Sequence, residues 1–222
     1  MKPILYGIPV SPFYRKIRIQ LLEKNIDHQI EVLLPLEKTP ELLKLTPLGK
    51  IPVLKDKEGR IVNDSSVIFN YIEDVYGENP LLPKNPYEKS RARWFEEYAD
   101  SHFFNTAVVQ YFFQKCVGPY VFGQPTDETI VEKAEKEDMP KMFDYLSQEI
   151  EGKEYFAGES FGLADIALGA MFANLQLAEY KLGNEYTSLQ NWLEKTLSRP
   201  SFKTTSKEDS QNLKHIQSQK SV

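Results

Sequence analysis

The sequence has a single cysteine, Cys116, and three histidines among its 222 residues. One cysteine excludes an internal disulfide and a Cys-rich metal site. His28, His102 and His215 lie far apart and show no metal-ligand spacing, so no metal is expected. Long apolar runs are also missing: none approaches the ~20 residues of a membrane span. Met1-Lys2-Pro3-Ile4-Leu5-Tyr6 lacks the apolar core of a signal peptide. Positive charge is not in excess either. A formal net charge of -5 argues against a general nucleic-acid binder while leaving room for a local basic pocket. The expectation is a cytoplasmic protein with no membrane, nucleic-acid or metal partner.

What is present is ordinary globular material, 41% hydrophobic and 27% charged, enough for one large domain or two small ones. Residues 2–8 form an apolar run ended by Pro9 and read as a strand. Ser11-Pro12 is a helix start, with Ile17, Leu21 and Leu22 recurring at helical spacing behind it. Residues 29–34 read as a second strand and 41–45 as a short helix. Val53-Leu54 and Ile61-Val62 flank the polar turn 56–59 and read as a hairpin, and 65–76 carries a helical apolar face. The order β-α-β-α-β-β-α makes a compact α/β layer. Asn79-Pro80-Leu81-Leu82-Pro83-Lys84-Asn85-Pro86 reads as a linker. Beyond it strand signals stop, and 87–113, 128–150, 163–182 and 188–197 read as helices. Residues 204–222 are polar and are expected to fray.

Three segments in the first third carry the chemistry: Ser11-Pro12-Phe13-Tyr14-Arg15-Lys16, Gly49-Lys50-Ile51-Pro52-Val53-Leu54 and Asn63-Asp64-Ser65-Ser66. Each sits at a strand end or helix start, and together they suit a small anionic peptide carrying a thiol. Ser11 is either a plain N-cap or a hydroxyl aimed at a bound thiol across a helix N-terminus that favours anions. A free thiol of pKa ~8.5 is only ~3% thiolate at pH 7; lowering its pKa by two units takes ~2.7 kcal/mol. A hydrogen bond to a charged acceptor supplies roughly 1.5–3 kcal/mol, so one hydroxyl plus the helix dipole suffices. Ile51-Pro52 is either an ordinary strand start or a bend that turns the Ile51 backbone towards an extended ligand. Asp64-Ser65 caps the third helix, or binds an amino-acid head group, Ser65 taking the carboxylate and Asp64 the ammonium. Lys38 and Lys50 are either solvated or neutralise a second carboxylate.

These segments resemble, in order and spacing, the glutathione-site segments of the glutathione S-transferase family, of the cytosolic, serine-type, bacterial or theta-like kind. Leu163-Ala164-Asp165-Ile166-Ala167 in the helical half extends the resemblance to nearly the whole chain. The resemblance implies a thioredoxin-like glutathione-binding domain over 1–78, a linker over 79–88, an all-α domain over 89–205 and a polar tail over 206–222. It also implies a cis bond at Pro52 and a homodimer. Ser11 is then the residue that stabilises the glutathione thiolate, ahead of Tyr6 on the first strand. Asp64 and Ser65 hold the γ-glutamyl end, Ile51 the cysteinyl backbone, and Lys38 and Lys50 the glycyl carboxylate. Glutathione is a co-substrate, and no cofactor is implied. The second substrate, a hydrophobic electrophile, is expected against Phe13, Tyr14, Phe104 and Tyr111. The implied activity is detoxifying conjugation, with glutathione peroxidase chemistry beside it; the alternative is a non-catalytic interaction protein of the same fold. The chain departs from the family pattern in having Asp64 where Glu is commoner. It also has Gly162 where a capping Ser or Thr usually precedes the buried aspartate, here Asp165, which reads as structural.

Overall fold

The computed structural model describes residues 1–35 and 38–218. The first third is built of β1 (Ile4–Gly7), α1 (Pro12–Glu23), β2 (Gln29–Val32), α2 (Pro40–Leu45), β3 (Val53–Lys55), β4 (Ile61–Asn63) and α3 (Ser65–Val75), in the order expected from the sequence. The strands form one sheet, β2-β1-β3-β4, with β1 parallel to β2 and antiparallel to β3, and β3 antiparallel to β4. The polar turn of the hairpin is fixed by Asp56. Its carboxylate accepts the backbone N–H of Glu58 (2.9 Å) and Arg60 (2.8 Å) and the hydroxyl of Tyr71 on α3.

The register decides where the site lies. Tyr6 on β1 stands opposite Val53 on β3, and Val53 opposite Asn63 on β4. The loop after β1, the residues before β3 and the residues after β4 therefore leave the sheet at one end. Those are the Ser11, Ile51 and Asp64 segments. The Ile51–Pro52 peptide bond is cis, as the resemblance implied.

The remainder is helical. α4 (Pro86–Tyr98) runs on into a π-helical stretch, Ala99–Val117, and a closing turn, α5 (Gly118–Val121). The π winding is visible at its end, where Gly118 N–H meets Phe113 O. α6 (Glu128–Lys133) and α7 (Met139–Ile150) are joined by a second such stretch, Ala134–Asp138. α8 (Leu163–Leu177) is the centre of this half, its residues buried from Leu163 through Leu175. It stops short of the expected 182, because the chain passes through a left-handed conformation at Glu179 (φ 58°). α9 (Thr187–Leu197) and α10 (Pro200–Ser218) complete the chain. α1 lies between the two halves, packed on α3, α8 and α10.

One further expectation needs correction. The stretch from 204, including the tail placed at 206–222, does not fray up to Ser218: α10 is a full helix that buries Thr205, Asp209 and Leu213 at four-residue spacing. Two of those three residues, Thr205 and Asp209, are polar, so the stretch reads as a surface; the last four residues lie outside the described residues. The proline-rich linker, for its part, is fastened down. Lys24 donates to the carbonyls of Glu78 (2.8 Å) and Asn79 (3.1 Å), and Leu81 N–H donates to Glu73 (2.8 Å).

Candidate active site

Ser11 follows the β1 loop and caps α1, its Oγ accepting Tyr14 N–H at 3.4 Å. That bond is long and uses only a lone pair, so the half-buried hydroxyl keeps its own proton to donate outwards. Behind it, Asn174 of α8 donates its Nδ2 to Val10 O at 3.0 Å, pinning the residue before Ser11. Tyr6 lies on β1 with its phenol pKa raised by burial and then by Glu31, the wrong direction for a proton donor tuned to a thiolate.

At the start of α3, Asp64 adopts φ 73°, ψ 133°, a strained conformation for a residue with a side chain. Its Oδ1 accepts Ser66 N–H (2.9 Å) and Val67 N–H (3.3 Å). The expected ammonium partner is therefore engaged on its own helix through that oxygen, although the residue itself is exposed. Ser65 is buried at the first helical position beside it. Ile51 is half-buried just before β3. Lys38 and Lys50 are exposed at opposite ends of the α2 loop, and the stem of Lys38 passes over Gly49, within 3.4 Å of where a Cβ would stand. Gly49 (φ +65°) permits both that approach and the turn into Lys50, whose N–H donates to Thr46 Oγ1 at 3.2 Å.

Of the aromatic residues expected to hold a second substrate, the structure brings two together and withdraws two. Phe13 of α1 and Phe104 of the long helix meet with ring centroids 4.7 Å apart, both half-buried, across the junction of the halves. Tyr14 is 1% exposed and Tyr111 3% exposed, so neither offers a surface to a ligand. Tyr14 packs down onto β1 at Gly7, where a Cβ would come within 2.5 Å of its ring. Tyr111 packs edge-on against Tyr180. Cys116 is buried, which pushes its thiol up to about 11 and makes it a poor nucleophile. No metal-binding cluster occurs among the described residues. Surface cavities of about 430 and 490 Å³ lie on the helical half, around Trp192 and Asp209 respectively, and neither is lined by Ser11 or Asp64.

The buried charges of α1 are what sequence reasoning missed. Arg15 Nε donates to Asp209 of α10 (2.6 Å), and its Nη1 to Ala170 O (2.5 Å) and Asn174 Oδ1 (2.7 Å) of α8. Lys16 Nζ reaches Glu96 (2.8 Å), Asp100 (2.5 Å) and Ser66 (3.4 Å), joining the long helix to the start of α3. Arg15 and Lys16 stand among apolar residues of α1 in sequence, which hints at burial, but every partner is 50 or more residues away. Asp165 behaves as expected: its oxygens accept Gly162 N–H (3.1 Å), Phe156 N–H (3.1 Å) and Trp192 Nε1–H (2.8 Å), a structural role at the start of α8.

A four-stranded thioredoxin-like sheet domain followed by an all-helical domain, with a serine-capped α1 at their junction, defines a two-domain class of protein. The comparisons narrow it. Residues 5–80 match the model of the glutathione S-transferase N-terminal domain and 103–200 that of the C-terminal domain. The chain is 32% identical to glutathione S-transferase U4 of Arabidopsis thaliana over 169 residues, 75% of this chain and 68% of that one. It is 30% identical to glutathione S-transferase U26 of the same plant over 197 residues, covering 86% and 83%. Among solved structures, a glutathione S-transferase of Methylobacillus flagellatus with GSH bound superposes with a TM-score of 0.74 at 29% identity, covering 92% of this chain and 98% of that one. The chain belongs to the glutathione S-transferase family of enzymes.

Proposed function

We propose that the protein binds glutathione at that end of the sheet and activates its thiol with Ser11, as a serine-type, theta-like member of the family. The observation that supports this reading is the Tyr6–Val53–Asn63 register, which makes the Ser11, Ile51 and Asp64 segments leave the sheet at one end. In this arrangement the Ser11 hydroxyl donates to the sulfur, and the N-terminus of α1 adds its dipole. Ile51 offers backbone to the cysteinyl residue, the backbone of α3 at Ser65 takes the glutamyl carboxylate, and Lys38 and Lys50 the glycyl carboxylate. The free lone pairs of Asp64 remain for the ammonium. The thiolate then attacks an electrophilic carbon lying on Phe13 and Phe104, forming a C–S bond as the leaving group departs. With an organic peroxide instead, two glutathiones are oxidised to the disulfide while the peroxide is reduced to alcohol and water. The protein works in the cytoplasm as a homodimer.

Glutathione is titrated calorimetrically into the parent and Ser11→Ala, with thiolate absorbance followed against pH. The parent is expected to hold the bound thiol about two units below its free value of ~8.5, and Ser11→Ala to return it there with binding retained. No binding by the parent overturns the reading and leaves the non-catalytic interaction protein in its place.

A further inference from the structure

The β1–α1 loop that carries Ser11 is held from behind by a chain of buried polar contacts. Val10 O, one residue before Ser11, accepts Asn174 Nδ2 at 3.0 Å. Asn174 is 0% exposed in the last turn of α8, a helix whose residues Met171, Phe172 and Leu175 are also buried. Its other amide atom, Oδ1, accepts Arg15 Nη1 at 2.7 Å, which fixes which way round the amide sits. The guanidinium is itself held by Ala170 O and by Asp209 of α10 at 2.6 Å, with Arg15 at 0% and Asp209 at 1% exposure. A buried amide between two apolar layers costs free energy unless both its ends are satisfied, and here both are.

We infer that Asn174 is a positioning residue for Ser11, held in that role by the Arg15–Asp209 pair that ties α1 to α10. This inference rests on the role proposed above for Ser11. Ser11's own cap bond is long at 3.4 Å; its backbone is held locally by Ser11 N–H on Ile8 O (3.1 Å) and Arg15 N–H on Ser11 O (2.9 Å), and Asn174 adds a contact from the helical half. The bond from Asn174 to Val10 is buried and short by comparison, so it sets where the Ser11 hydroxyl stands relative to a thiol bound over the helix start. Arg15 in turn cannot release the Asn174 oxygen without leaving a donor unpaired in the core. The orientation of Ser11 is thereby coupled to the seating of α10, although α10 itself touches α1 one turn further along.

The test compares the parent, Asn174→Ala and Asp209→Asn, each checked for folding by circular dichroism. The second variant keeps an oxygen for Arg15 Nε, removes the charge and turns the other carboxylate oxygen into an NH2 group. Thiolate absorbance of bound glutathione against pH is the readout, beside the affinity for S-methylglutathione, which has no thiol to titrate. Asn174→Ala is expected to raise the bound thiol pKa by about one unit, a tenfold loss of thiolate well below that pKa. Its S-methylglutathione affinity should stay within about threefold of the parent, which is under 0.7 kcal/mol. Asp209→Asn should shift the thiol the same way by less, and it decides the matter should Asn174→Ala fail to fold. An unmoved thiol pKa in the folded variants overturns the inference, as does a loss of S-methylglutathione affinity with the thiol unmoved. A parent that binds glutathione but leaves its thiol at the free value brings down the Ser11 reading instead, and this inference with it.

Discussion

Gly162 illustrates how a single residue answers to two demands. A capping side chain there would hold the first turn of α8, yet a Cβ on Gly162 would stand 2.5 Å from Leu81 O. The same carbonyl accepts Leu163 N–H at 2.9 Å, so a backbone oxygen from the linker takes over part of the work of the absent hydroxyl. Asp165 supplies the reciprocal half by accepting Gly162 N–H. Gly162→Ser is therefore expected to destabilise the protein by about 1–3 kcal/mol, the usual range for overpacking. A lower urea midpoint at unchanged slope would show it; a midpoint equal to or above the parent's would mean that the cap outweighs the clash. The departure from the family pattern was legible in the sequence, but its cause was not, since Leu81 is remote in the chain.

At the scale of elements, α10 was the least legible. Thr205 and Asp209 occupy the buried stripe where apolar residues would have announced a packed helix, so amphipathic patterning failed. The α/β layer was read correctly because its strands and caps are local signals, and its helix and strand order follows from them. Part of the grip on α10 depends on His28. His28 Nδ1 lies 2.6 Å from Ile26 O, so that nitrogen carries the proton and Nε2 is left to accept Arg18 Nη1 at 2.6 Å. Arg18 reaches on to Glu208 of α10 at 2.8 Å. Burial lowers the His28 pKa, assisted by Arg18, so the neutral ring is favoured in the folded state. This contribution to stability is complete above the ordinary value of ~6.5 and is lost as pH falls through the lower folded value. Hydrogen exchange across α10, corrected for intrinsic rates, should quicken between pH 7 and pH 5 in the parent and stay level in His28→Gln. An α10 equally protected at both pH values in the parent would sink the idea.

For the whole molecule, Asp100, Asp165 and Asp209 are each pushed up to about 6, burial being the largest cause. An unfolded aspartate titrates near ~3.9, so between roughly pH 4 and 6 the folded chain holds more protons than the unfolded one. The contribution of these groups to stability therefore falls as pH rises through that window, opposite to His28. The stability of the parent minus that of Asp165→Asn is expected to decline from about pH 4 to about pH 6 in urea titrations; a difference that grows would contradict the assignment. The site was legible in the same uneven way as the fold. Ser11, Ile51, Asp64 and Ser65 stood out as candidates because each marks a helix start or strand end, and the register brings their segments off one end of the sheet. Tyr14 and Tyr111 were misplaced because an aromatic side chain beside a site has the same sequence signature whether it faces the cleft or the core.

The linker has one more consequence. Its backbone is gripped from both halves, by Lys24 and Glu73 on one side and by the start of α8 on the other. The halves are thus not interchangeable cassettes, whatever the proline content between them suggests. A chimera that joins this sheet domain to a relative's helical domain should keep Lys24, Glu73, Leu81 and Gly162 as one inherited set, because a crossover between any of them strands a buried donor or brings a side chain onto a carbonyl.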